Sequence, residues 1–138
     1  MTDKKTTNKH LFESLMQAQL PSIKTTSGKS TISIVNNVNG RRLTISKALA
    51  EDLGVDDVAY AMPSAADRKL VLGKTLPFPK AVKLLLHGKG KKNAYNANFV
   101  EVLVKMYNLD YTDCTSRSFD SIEFDELEGV PVAIVNIP

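Results

Sequence analysis

The chain has 138 residues and a mass of 15.1 kDa, enough for one domain or for two very small lobes sharing a core. Hydrophobic residues make up 43% and charged residues 24%, ordinary values for a globular protein, and no apolar run approaches the ~18–20 residues of a membrane span. Cys114 is the single cysteine and has no internal disulfide partner, and the polar start Met1–Lys9 lacks the apolar stretch of a secretory signal, so a reducing, cytoplasmic setting is expected.

Eighteen basic against 15 acidic residues give a net charge of +3. The distribution says more than the sum. Residues 1–28 and 29–79 each carry a net +2, whereas residues 80–138 carry −1 and are segregated. Lys80, Lys83, Lys89, Lys91 and Lys92 come early in that last stretch. Asp110, Asp113, Asp120, Glu123, Asp125, Glu126 and Glu128 come late. An anionic partner would therefore meet the middle of the chain.

Residues 1–28 read as an N-terminal extension. Within it Leu11, Phe12, Leu15 and Met16 recur near 3.6 residues, which predicts a short amphipathic helix over Lys9–Gln19 stopped by Pro21. Thr31–Val35 alternates and is β-branched, a strand, and is followed by the turn residues Asn36, Asn37, Asn39 and Gly40. Arg42–Ile45 is a second strand with Leu43 and Ile45 on one face. Ser46 is a helix cap for Lys47–Leu53, and Gly54 falls where a left-handed terminus is expected. Val58–Met62 and Lys69–Leu72 complete a β-β-α-β-β unit within residues 29–79.

Residues 80–138 repeat the pattern without repeating the sequence. Ala81–His87 is a strand, Gly88–Lys92 a turn, and Asn98 the expected cap of a helix burying Phe99, Val102, Leu103 and Met106. Asn108 stands where the first unit has Gly54. Strands over Thr115–Phe124 and Val130–Ile137 close the chain, turning near Glu128-Gly129.

The segment from Arg41 to Val55 resembles the SpoVT/AbrB-like family, whose pattern runs G-R-[IV]-T-[IL]-P-K-x-[IL]-R-x-x-L-G-[IV]. Arg42, Thr44, Ile45, Lys47, Leu49, Leu53, Gly54 and Val55 match in register, and Leu43 is a conservative substitute. Arg41, Ser46 and Ala50 depart from it, standing for the family's glycine, proline and helix arginine. The resemblance implies a mainly β swapped-hairpin barrel with short helices. Two tandem β-β-α-β-β units in one chain would build it as an intrachain pseudo-dimer. It also implies a DNA-binding transcriptional regulator.

The candidate DNA contacts are Arg41, Arg42 and Lys47 in the first unit and Lys89, Lys91 and Lys92 in the second. Two arginines at a hairpin tip can pair with phosphates, and a helix start favours anions. Three lysines among the glycines of His87–Lys92 can neutralise phosphate charge but lack nucleotide P-loop spacing. The competing reading of both clusters is a solvated turn that keeps a strand edge soluble. The late carboxylates read as a solvated strand face rather than metal ligands. Cys114, with His10 and His87 distant in sequence, suggests neither a zinc site nor a nucleophile. Tyr95, Tyr107 and Tyr111 read as helix-edge packing.

The expected partner is thus double-stranded DNA, with no enzymatic activity, cofactor, metal or membrane association and with further dimerisation of the pseudo-dimer left open. The alternative is a protein-interaction module of the same fold, docking through residues 9–20.

Overall fold

The computed structural model describes residues 30–138. The N-terminal extension, with the helix expected over Lys9–Gln19, lies outside the described residues. Within them the chain forms β1 (Ile32–Asn37), β2 (Gly40–Ile45), α1 (Lys47–Leu53), β3 (Val58–Ser64) and β4 (Lys69–Gly73), then β5 (Val82–Leu85), β6 (Lys92–Ala94), α2 (Ala97–Tyr107), β7 (Ser116–Phe119), β8 (Ile122–Leu127) and β9 (Val130–Asn136). No helix among the described residues is long and apolar enough to cross a membrane.

The protein is mainly β, as the strand patterns predict, with two short helices among the described residues. Among the described residues its ladders do not close into one barrel. They form a four-stranded sheet, β6-β2-β1-β7, and a five-stranded sheet, β5-β3-β4-β9-β8, antiparallel throughout. Each sheet draws strands from both halves of the chain, so the 29–79 and 80–138 segments interleave.

The pairings also repeat. Exchanging β1 with β5, β2 with β6, β3 with the β7–β8 run and β4 with β9 carries the set of pairings onto itself. Thus β1·β7 corresponds to β5·β3 and β3·β4 to β8·β9, while β2·β6 and β4·β9 map onto themselves. The counterpart of the six-pair β1·β2 ladder is reduced to one bridge, His87↔Asn93.

Local chemistry sets the elements. Ile32 and Ile34 on β1, and Leu43 and Ile45 on β2, point inward and are at most 1% exposed. The Ser46 hydroxyl accepts from Leu49 N at 3.2 Å, capping α1, and from Thr31 N at 3.0 Å, which fixes the start of β1 against the helix. Gly54 ends α1 at φ 69°, its N–H directed at the carbonyls of Ala50 and Glu51. Leu49 and Leu53 drop from α1 into the core.

Three expectations in the second half are corrected. Asn96, not Asn98, caps α2, its side chain accepting from Phe99 N at 3.1 Å. The helix buries Phe99, Val100, Leu103 and Tyr107, and leaves Val102 46% exposed. Both apolar stripes share Phe99 and Leu103. The stripe with Tyr107 wins because it brings a larger side chain inside, and the Tyr107 hydroxyl donates to Lys69 O at 2.6 Å. Burial pushes that phenol up to about 12, so it stays a donor at neutral pH. The strand expected over Thr115–Phe124 breaks at Asp120-Ser121, where the chain leaves β1 as its partner and takes up β9. The β8–β9 turn follows expectation, with Glu128 and Gly129 both at positive φ as a type I′ hairpin requires.

Asp125, on the edge strand β8, has an Oδ2 that is buried without a hydrogen-bond partner. Burial, with Glu126 and Glu123 nearby, raises its pKa despite a hydrogen bond from Glu126 N.

Two stability predictions follow from these contacts. Ser46→Ala removes the acceptor shared by two backbone N–H groups and should cost about 1–2 kcal/mol in urea unfolding. A carboxyl whose folded-state pKa is raised weakens the fold once it ionises and ceases to do so as pH falls through the usual carboxylate range. Asp125→Asn should therefore raise the melting temperature at pH 7, and the gain should shrink to nothing in acid. A gain that is independent of pH would contradict the ionisation account.

Candidate nucleic-acid interface

Arg41 and Arg42 are neighbours in sequence on β2, and strand alternation sends them to opposite faces of the sheet. Arg41 shares the face of Leu43 and Ile45. Its Nε donates to Asn36 Oδ1 at 2.9 Å, and a terminal guanidinium nitrogen lies 3.5 Å from Glu101 Oε2 on α2. The guanidinium thus joins the hairpin to α2. Arg42 shares the outward face with Thr44, directly opposite Val35 of β1.

That outward face carries a polar row unseen in the sequence. Ser118, Ser33, Thr44 and Asn93 lie side by side across β7, β1, β2 and β6. The Ser33 and Ser118 hydroxyls are 2.7 Å apart, and Thr44 Oγ1 donates to Asn93 Oδ1 at 2.8 Å. These four residues are spread over most of the chain, and only the strand register brings them together.

The second cluster divides as well. Lys89 and Lys91 are exposed, but Lys92 is only 8% exposed. The Lys92 ammonium donates to Gly88 O at 2.8 Å and to Asp56 Oδ1 at 3.2 Å, and so holds its own turn closed. Gly88 sits at φ 121°, where an added Cβ would lie 2.4 Å from Lys91 O, so the turn needs glycine there. The expectation that Lys92 faces a partner is therefore corrected: β6 pairs it with Ile45 and turns it inward.

Lys47 is exposed at the start of α1, and a Cβ at Gly90 would stand 3.9 Å from Lys47 Cδ. The Lys89–Lys91 turn and the start of α1 are thus neighbours. The β2·β6 ladder pairs Leu43 with Ala94 and Ile45 with Lys92. Arg42 accordingly lies at one end of that ladder and the Lys47–Lys89–Lys91 group at the other, roughly 15 Å apart along the strand rise. The Thr44–Asn93 pair is midway. The two basic clusters do not form one pair of adjacent tips.

The carboxylates Glu123, Asp125 and Glu126 are carried by β8, in the other sheet. No group of His, Cys, Asp or Glu among the described residues has the arrangement of a metal site, and Cys114 is an exposed free thiol.

The contrast between the lysines is measurable. Lys92→Ala removes a buried side chain together with its bonds to Gly88 O and Asp56 and should cost about 1–3 kcal/mol, whereas Lys91→Ala should stay within about 0.5 kcal/mol of the parent. Equal effects in urea unfolding would reverse the assignment. In comparisons with known proteins, no family model, no curated protein and no solved structure matches the chain.

Proposed function

We propose that the protein binds duplex DNA in the cytoplasm as a transcriptional regulator, contacting it with the outward face of the four-stranded sheet and the basic groups at its two ends. One observation carries this reading: free cations flank a row of Ser33, Thr44, Asn93 and Ser118. Arg42 and the Lys47–Lys89–Lys91 group supply phosphate contacts. The row between them bears hydroxyl and amide groups, the chemistry that meets base edges in the major groove. The acidic strand β8 belongs to the other sheet, and its repulsion of phosphate helps orient the complex.

The resemblance of Arg41–Val55 to SpoVT/AbrB-like proteins supports the same reading. So does the pairing scheme, in which strands of both halves interleave in each sheet and the set of pairings repeats between the halves. We take that scheme as an open swapped-hairpin arrangement, an intrachain pseudo-dimer whose second hairpin is loosened between β5 and β6. A second reading, a protein-interaction module, draws on the neutralisation of Arg41 by Glu101 and of Lys92 by Asp56. Of six basic candidates, those two are committed within the protein.

Fluorescence anisotropy with a random-sequence duplex tests the proposal. Micromolar or tighter binding is expected at about 50 mM salt, falling by orders of magnitude at about 200 mM. The combined Arg42→Ala, Lys89→Ala and Lys91→Ala variant should flatten the logarithmic salt slope by roughly 2–3. Absence of binding at low salt would remove the DNA reading. An unchanged slope in the variant would remove those residues from the interface.

A further inference from the structure

Between β5 and the end of β6 lies an open hollow of about 440 Å³, with Lys83, Leu85, His87, Tyr95, Asn96 and Asn98 in its lining. Its origin is the reduced β5–β6 pairing. His87 and Asn93 exchange both backbone hydrogen bonds, at 2.9 and 2.8 Å, but Asn96 then ends β6 and starts α2. Among the described residues β5 has no partner on that side.

Alternation locates the unused backbone groups. Leu86 N donates to Asp57 O, so even-numbered residues of this strand face β3. The N–H and C=O of Lys83 and Leu85 therefore point into the hollow, as those of His87 point to Asn93. In β1·β2, the equivalent pairing is complete over six residue pairs.

The side chains around this edge are equally open. Leu85 is 59% and Tyr95 61% exposed, two of the four exposed large hydrophobics among the described residues. If the bridge register continued, they would stand directly opposite each other. The His87 and Tyr95 rings lie 5.9 Å apart, which gives the mouth an aromatic wall. Lys83 is the cationic group of the lining, His87 brings an imidazole N–H and Tyr95 a phenol, and among the described residues no carboxylate lines the hollow.

We propose that this hollow is a docking site for an extended acidic peptide segment of a partner protein, which adds as a strand to β5 and seats an apolar side chain between Leu85 and Tyr95. Main-chain bonds to Lys83 and Leu85 supply the pairing, and the Leu85–Tyr95 gap supplies a side-chain pocket. The Lys83 ammonium selects negative charge, and the His87 ring can donate a hydrogen bond to a carboxylate. The site is separate from the cations proposed to meet DNA and does not depend on that reading.

The test is selection of random displayed peptides on the full chain, followed by anisotropy with synthetic copies of the enriched sequences. Enriched peptides should carry Asp or Glu beside an aromatic or aliphatic residue. Lys83→Glu and Leu85→Asp should each weaken them at least about tenfold, with the circular dichroism spectrum and urea midpoint of the same variants as the control for folding. Methylating the peptide's pairing backbone nitrogens should have a similar effect. Failure to enrich any peptide would overturn the proposal, as would enriched peptides that bind both variants like the parent. Concentration-dependent self-association abolished by Leu85→Asp would overturn it too, by assigning the edge to a second copy of this chain.

Discussion

Backbone pairing between the two halves of the chain, through the β2·β6 and β4·β9 ladders, is what the rest of the structure depends on. A single β-β-α-β-β unit has apolar strand faces and one short helix, too little to cover them. Interleaving solves this. Leu43 and Ile45 from the first half share a core with Leu84, Leu103 and Val135 from the second. The same ladders place Thr44 against Asn93, so the polar row is a by-product of the pairing that builds the core.

Charge follows from this arrangement. Burial of Lys92 demands partners for its ammonium: its own turn supplies the Gly88 carbonyl, and the connection between α1 and β3 supplies Asp56. Arg41, aimed inward by the pleat, finds Asn36 and Glu101. The cations left over, Arg42, Lys47, Lys89 and Lys91, are those that the backbone turns outward or exposes at a turn. Residue type alone does not separate the two groups; the face of the strand does.

Much of the first half is legible in the sequence because its determinants are local. Ser46 and Gly54 bracket seven helical residues, and Leu43 and Ile45 alternate with polar neighbours. The opposite faces of Arg41 and Arg42 follow from the same period of two. The second half is less legible, since its deciding contacts are distant. Tyr107 settles the face of α2 through Lys69, and the break at Asp120-Ser121 reflects a change of partner strand rather than any local breaker. The polar row is invisible until four strands from both halves are registered. Lys92 reads as one more loop lysine until Ile45 is placed opposite it.

Arg68 has a role beyond the turn in which it sits. At φ 52° between β3 and β4, its guanidinium donates to the carbonyls of Tyr107 at 2.9 Å, Ile137 at 3.1 Å and Pro138 at 2.6 Å, while its own carbonyl accepts from Ile137 N. The end of α2, the start of β4 and the residues after β9 are thereby fastened at one point. Release of Ile137 takes away two of the bonds that hold Arg68, the residue that also donates to the last carbonyl of the helix. Shared contacts of this kind couple the local opening of the tail to that of the helix end, where an unattached terminus would fray first.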